Sequence, residues 1–235
     1  MPGGNLHLIP NLLAEEGMHG IPLSVREIIP QIRVWYVEEL RSARRFLKKV
    51  HPALDINVLR FHLVNEHRQE GLTELEGYFE QGWQVGVMSE SGCPAIADPG
   101  SLLVQMAHQL KVRVIPYVGP NSILLALMGS GFNGQHFQFW GYLPYKQPEL
   151  KNKILEIERD SRNRNCSQFF IEAPYRNDQL LSALLETCHP ETRLSVACNL
   201  TGETEEIVSM PCRDWRKQSK TFHKRPAIFG LYAGI

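Results

Sequence analysis

The chain has 235 residues, 43% of them hydrophobic, and a formal net charge of zero. That length allows one large or two small globular domains with a real core, while the balanced charge excludes a protein that coats nucleic acid by bulk attraction and leaves only a local basic face open. No apolar run reaches the roughly 18 residues a membrane helix needs.

In chain order, Leu6 to Pro10 reads as a short strand stopped by proline, and residues 15–32 as a loop with weak helical character punctuated by Pro22 and Pro30. The opening M-P-G-G-N-L-H-L-I-P has no basic n-region and no long apolar stretch, so no secretory leader is expected. A second strand is predicted over Ile32 to Val37 and a helix over 38–49, acidic at its start and basic at its end, as the helix dipole favours. Arg41, Arg44, Arg45 and Lys48 follow i, i+3, i+4, i+7 spacing and share one face, which is either a phosphate-binding face or a solvated helix surface. Val58 to Phe61 reads as a third strand, followed by a polar loop H-L-V-N-E-H over 62–67. His62, Glu66 and His67 lack a fourth ligand and the spacing of a metal-binding helix, so no metal is expected. Residues 69–81 read as an acidic amphipathic helix with Leu72, Leu75, Tyr78 and Phe79 inward.

The stretch Val85 to Gly100, V-G-V-M-S-E-S-G-C-P-A-I-A-D-P-G, opens as a strand and breaks into small residues, prolines, glycines and two carboxylates. Leu102, Leu103, Met106, Ala107 and Leu110 then recur at helical spacing, and Val112 to Val118 is again β-branched. Strand, rich loop, helix, strand is a βαβ unit with parallel strands, whose loop lies where open α/β sheets hold ligands. It is a ligand loop, with Glu90 and Asp98 as hydrogen-bond acceptors, or a tight connection whose glycines and prolines only make turns.

Asn121 or Ser122 caps a helix from Ile123 to Met128. The G-x-G-x-x-G at Gly129 to Gly134 follows a helix instead of joining a strand to one, and so reads as a helix stop and linker. The remainder reads as strand (Phe137 to Tyr142), helix (148–161), strand (Gln168 to Ile171), helix (Asp178 to Cys188) and strand (Arg193 to Ala197). Two further strands are predicted near Glu206 to Met210 and Ala227 to Tyr232. The boundary between residues 1–118 and 119–235 falls in the linker region. The stretch Arg213 to Arg225, basic with Trp215 and Phe222 interleaved, reads as a single-stranded nucleic-acid binder or a mobile surface loop. Cys93, Cys166, Cys188, Cys198 and Cys212 are scattered and never in a C-x-x-C pair, which points to reduced, cytoplasmic usage.

The stretch S-E-S-G-C-P-A-I-A-D-P-G at Ser89 to Gly100, with V-x-V-I-P-Y-V-G-P-N-S-I-L-L-A-L after it, resembles the central signature of the tetrapyrrole-methylase superfamily, nearest its ribosomal RNA small subunit methyltransferase I branch. F-x-G-Y-L-P at Phe139 to Pro144, I-E-A-P-Y-R at Ile171 to Arg176 and A-C-N-L-T-G-E-T-E-E at Ala197 to Glu206 fall in that family's order. Asn11-Leu12, Glu90 and Tyr175 depart from its usual residues. The resemblance implies two α/β subdomains with the ligand cleft between them, S-adenosylmethionine as cofactor and a homodimer. Cofactor contacts would then fall to Pro10, Ser89, Glu90, Ser91, Gly92, Pro94, Ile96, Asp98, Asn121, Ser122, Phe170, Ala173, Pro174, Ala197, Asn199 and Leu200. Arg41, Arg44, Arg45, His62, Asn65 and Arg176 would meet substrate.

The activity so implied is 2′-O-methylation of ribosomal RNA. A methyltransferase of a tetrapyrrole or another small molecule, and a non-catalytic relative that binds nucleotide or RNA, are the alternatives. Glu39, Glu66, Glu172 and Glu203 are the candidate bases.

Overall fold

The computed structural model describes residues 3–65 and 68–234. Two compact units make up the chain, one ending at Asn121 and the other beginning at Ser122. The first contains β1 (Asn5–Leu8), α1 (Leu23–Ile28), β2 (Ile32–Val37), α2 (Leu40–Val50), β3 (Arg60–Asn65), β4 (Arg68–Gln69), α3 (Leu75–Glu80), β5 (Gln84–Met88), α4 (Ser101–Gln109) and β6 (Arg113–Pro116). Their sheet runs β4-β3-β2-β5-β1-β6. All its pairs are parallel except β3 with β4. The strands β5 and β6 of the central βαβ unit are therefore parallel but not neighbours, because β1 lies between them.

Side-chain alternation along the strands builds a core on each face of this sheet. Val34 and Tyr36 join Leu75, Phe79, Leu103 and Ala107 from α3 and α4 on one face. Trp35 and Val37 join Val25, Ala43, Phe46 and Leu47 from α1 and α2 on the other. A register shift between Ile32 and Val34 turns Ile32 to the second face, while Arg33 stays exposed.

Three expectations for this unit change. Residues 15–32 contain α1 and two short 3-10 turns, Gly17–Gly20 and Ile29–Gln31. The third strand starts at Arg60, after a 3-10 turn at Ile56–Val58, so His62 and Asn65 lie on a strand and not in a loop. The helix expected over 69–81 is only Leu75–Glu80. Gln69 instead pairs with Val64 in a hairpin, and Gly71, at φ +68°, packs so closely on His62 that an added Cβ would lie 2.1 Å from its ring.

The second unit contains α5 (Ser122–Ser130), β7 (Phe137–Tyr142), α6 (Glu149–Arg164), β8 (Ser167–Ile171), α7 (Asn177–Thr187), β9 (Arg193–Cys198), β10 (Glu206–Pro211), α8 (Cys212–Trp215) and β11 (Ala227–Tyr232). Its sheet runs β10-β9-β11-β8-β7, antiparallel except for β7 with β8. Ile154, Ile157, Leu180 and Leu184 of α6 and α7 pack on Phe170, Val196 and Phe229.

The basic stretch from Arg213 to Arg225 is neither a stacking surface nor a loose loop. Trp215 and Phe222 are 1% and 0% exposed and meet edge to face at 6.0 Å. Trp215 Nε1 donates to Leu194 O at 2.9 Å. Asn177 Nδ2 donates to the carbonyls of Phe222 and Arg225, and Phe222 N to Asp178 Oδ1. Arg213 pairs with Glu191, Lys217 with Asp214, and Lys220 and Arg225 with Glu206. Acidic neighbours thus take up these charges, and two buried rings anchor the segment. Among the described residues, no helix is long and apolar enough to cross a membrane.

The first unit's core has no room at Gly86, where an added Cβ would lie 2.6 Å from the fully buried Trp35 ring. Gly86→Ala should lower stability by about 1–3 kcal/mol or more through overpacking, read as a lower urea midpoint at unchanged slope. Gly134→Ala, with nothing within 4 Å of the new methyl, should leave the midpoint in place.

Candidate active site

In the first unit, β1, β2, β3, β5 and β6 run the same way and deliver their carboxyl ends to one edge. The chain leaves β2 through α2 toward β3, and leaves β5 through α4 in the opposite direction toward β6. Those helices cover opposite faces. The sheet therefore has its topological switch point between β2 and β5, where a parallel sheet opens a crevice for a ligand. Glu38 and Glu39 follow β2, and Ser89 to Gly100 follow β5, so both segments start at that point.

Neighbouring strand ends hold the loop. Glu90 N donates to Glu38 Oε2 at 2.8 Å, and Glu38 N to Met88 O at 3.2 Å. From β1, Asn11 N donates to Gly92 O at 2.7 Å, and its side-chain amide to Glu90 O at 2.8 Å and Ser89 O at 3.2 Å. Ser91 Oγ donates to Leu12 O at 3.1 Å. Asn11, a departure from the resembled pattern, is thus the buried clasp of the loop. After β6, Gly119 passes so close to Pro10 that an added Cβ would lie 2.2 Å from its ring. Ala95 and Ala97 have φ of 65° and 59°, and an Ala95 N to Pro99 O bond closes the turn that contains them. Left-handed alanines are strained and persist only where the surroundings over-determine them, typically at functional sites.

The resulting surface is acidic. A depression of about 350 Å³ is lined by Glu38, Glu39, Asn65, Glu90, Ala97, Asp98 and Pro99. Burial pushes the Asp98 carboxyl up to about 6; Glu38 and Glu90 add repulsion, and a hydrogen bond with Ser89 offsets part of it. A second depression of about 430 Å³ shares Glu38, Glu90 and Asp98 and extends past Asn11, Leu12 and Leu13 to Ser42, Arg45 and Lys49 of α2. On the loop's other side, Leu8, Pro94, Ile96, Val104, Pro116 and Tyr117 line an apolar slot of about 420 Å³.

The remaining predicted residues of this unit have definite places. Pro10 and Asn121 are buried at the ends of β1 and beyond β6. Glu39 is the N-cap of α2: its Oε2 accepts Ser42 N at 2.5 Å, and backbone donation from Arg41 and Ser42 holds its carboxyl below the usual range. Arg41, Arg44 and Arg45 are exposed on α2; Arg44 lies over Phe61 at 5.2 Å, and Arg45 pairs with Glu15 at 2.7 Å. His62 is stacked on Tyr36 with ring centroids 4.8 Å apart and bonded to the Tyr78 hydroxyl at 3.1 Å, so its ring is engaged in packing. Asn65 Nδ2 donates to Glu38 O at 3.4 Å. Glu66 lies outside the described residues. No His, Cys, Asp or Glu cluster among the described residues has the makings of a metal site.

In the second unit, Ser122 opens α5. Phe170 and Ala197 are buried strand residues, and the Phe170 ring is stacked on Phe229 in the core, so only its backbone can face a ligand. Ala173 and Pro174 lead into the 3-10 turn Pro174–Arg176, and Asn199, at φ 50°, bonds Thr204 just before buried Leu200. Glu172 is buried, its Oε1 accepting from Ala173 N at 2.6 Å and from Arg176 Nε and Nη2 at 3.0 and 2.7 Å. Glu203 is exposed.

Sequence reading did not single out Glu38, although a carboxylate directly after a parallel strand was the signal that could have found it.

No protein-family profile matches the chain. It is 30% identical over 206 residues to the ribosomal RNA small subunit methyltransferase I of Vibrio cholerae, spanning 88% of this chain and 68% of that protein. With the protein of the same name from Micromonospora olivasterospora it shares 28% identity, over 87% of this chain and 62% of that one. The chain thus spans about two thirds of the length of these relatives. Among solved structures, the methyltransferase CobJ is similar at a TM-score of 0.62 and 16% identity, over 97% of this chain and 94% of that one. Cobalamin-biosynthesis precorrin-6Y methylase of Archaeoglobus fulgidus is similar at 0.55 and 16%, over 99% of each. These two share the fold, and the sequence relationship says more: the chain belongs to the ribosomal RNA small subunit methyltransferase I family, built as two α/β domains of the tetrapyrrole-methylase kind.

Proposed function

We propose that the protein is an S-adenosylmethionine-dependent methyltransferase that methylates a ribose 2′-hydroxyl in the RNA of the small ribosomal subunit. The observation that carries this reading, beside the family, is the gathering of Glu38, Glu90 and Asp98 at the switch point of the first sheet. A site with that charge repels the phosphates of a nucleotide cofactor. S-adenosylmethionine has no phosphate; its sulfonium and ammonium outweigh its single carboxylate and leave it cationic, its ribose diol can donate to carboxylates, and its flat ring suits the adjacent apolar slot. The residues present therefore fit the group. Pro10, the Ser89 to Asp98 loop and Asn121 are the holders we assign in the first unit.

When bound, the cofactor supplies an electrophilic methyl. The chain's own contribution is alignment: a loop clasped by Asn11, Glu38 and Leu12 fixes positions without reorganisation, which is where methyl transfer gains most of its rate. A proton acceptor adds less. Neither Glu39 nor Glu172 is poised for that step, since the first carboxylate caps a helix and the second holds Arg176. Arg41, Arg44 and Arg45 present an exposed cationic face on α2 next to the acidic depression, suited to RNA phosphates.

Calorimetry should find S-adenosylmethionine binding by the wild type that is lost when Glu90→Ala and Asp98→Ala are combined; a folded wild type that binds none would overturn the assignment. A cationic ligand prefers ionised Asp98, so affinity should climb with pH below about 6, by up to tenfold per unit, and level off above it. A flat profile would remove Asp98 from the cofactor's contacts.

The same carboxyl predicts a stability effect of opposite sign to an ordinary salt bridge. Its folded pKa is raised, so the native state keeps a proton that the unfolded chain has lost, and stability falls as pH rises through that window. Asp98→Asn should match the wild type near pH 4 and become more stable by about 1 kcal/mol above pH 6, a figure reduced for the water still in contact with the group. Urea denaturation at both pH values checks it.

A further inference from the structure

Among the described residues, two well-exposed aromatic side chains share one cation in the second unit, far from the basic tail in sequence. Tyr145 follows β7, and Tyr175 lies in the turn after β8. The Arg176 guanidinium carbon lies 5.0 Å from the first ring centroid and 5.3 Å from the second. Arg176 is pinned in turn by the buried Glu172 carboxylate through two hydrogen bonds. Each tyrosine nevertheless stays 60% exposed. A fixed guanidinium therefore steadies both rings while leaving much of each in solvent. The Lys146 ammonium also lies over the Tyr145 ring, 5.4 Å from its centroid, and adds a second charge to the cluster.

Packing does not require this arrangement. Glu172 already neutralises Arg176, and exposed phenol rings bury little apolar surface for the entropy lost in holding them. A base, by contrast, gains from a preordered, solvent-accessible ring with a cation in contact with it, whatever its sequence. A duplex hides its base faces and gains nothing. We propose that Tyr145 and Tyr175, steadied by Arg176, form a stacking platform for an unpaired nucleotide of RNA, with Lys146 meeting its phosphate. The inference deepens the RNA reading above and rests on it for the class of ligand.

The test is fluorescence anisotropy with a fluorescein-labelled single-stranded oligoribonucleotide of mixed sequence, and with the same strand annealed to its complement. Tyr145→Ala and Tyr175→Ala should each weaken single-strand binding by about 5- to 100-fold, whereas Tyr→Phe at either position should stay within about twofold, because stacking needs the ring and not the hydroxyl. The duplex should bind more weakly and respond to neither alanine change. Lys146→Gln should lower the slope of log affinity against log salt by roughly 0.7, as one lost phosphate contact on a single strand does. Circular dichroism confirms that the variants are folded. Unchanged RNA affinity in the folded alanine variants overturns the platform. A loss in the phenylalanine variants equal to that in alanine also overturns it. S-adenosylmethionine calorimetry on the same samples separates the two readings: cofactor binding with tyrosine-independent RNA binding sinks only the platform. No cofactor binding, with tyrosine-dependent RNA binding, sinks only the methyltransferase.

Discussion

The gathering of Glu38, Glu90 and Asp98 in a depression whose described lining residues include no cation is the constraint on which the carboxyl edge of the first unit's sheet depends. Like charges at close range oppose one another, so such a group persists only where the backbone forces it. Here the force is topological. Strands β2 and β5 are parallel neighbours, each releases acidic residues at its carboxyl end, and Glu38 takes the amide of Glu90 in a hydrogen bond. Burial first, and the repulsion from Glu38 and Glu90 after it, raise the Asp98 pKa, so that protonation of this carboxyl relieves part of the strain. A positive charge placed there would relieve the rest, and a phosphate would add to it.

Holding that arrangement requires a stiff loop, and its stiffness comes from outside it. Asn11 uses its backbone amide and both functions of its side chain: the amide group reaches Ser89 and Glu90, and Oδ1 accepts Leu12 N at 2.8 Å. Pro10 presses on Gly119 at the same edge. The exits of β1, β5 and β6 are therefore one interlocked body, in which left-handed Ala95 and Ala97 survive without the glycines that such backbone normally demands.

This explains what could and could not be read from the residues. Ile32 to Val37, Phe137 to Tyr142 and Ala227 to Tyr232 were legible to the residue, since each is rich in β-branched or aromatic residues and has a proline, Pro30, Pro144 or Pro226, close to one end. The helix expected over 69–81 was not, because its periodicity is genuine but a hairpin with Val64 and a tight contact of Gly71 on His62 take the first half away. The Ser89 to Asp98 loop announced itself by composition. Glu38 did not, since its meaning depends on β2 lying beside β5, a fact of strand order that no local window contains. The aromatic residues of the basic tail misled for the same reason: Asn177 and Asp178 of a distant helix decide that Phe222 is buried.

The two glutamates considered for chemistry show how environment, rather than residue type, assigns a role. Glu39 sits in water, where backbone donors hold its carboxylate ionised and occupied as a cap. Glu172 is buried with three donors on a single oxygen. That oxygen is already committed to the backbone amide of Ala173 and to two nitrogens of Arg176, which leaves it no free position toward a substrate hydroxyl. Glu172 is therefore better understood as a positioning group whose effect is felt through the guanidinium it fixes. Arg176 in turn decides how Tyr145 and Tyr175 stand in solvent. A carboxylate that reads in sequence as a candidate base thus acts, two contacts away, on the orientation of aromatic rings.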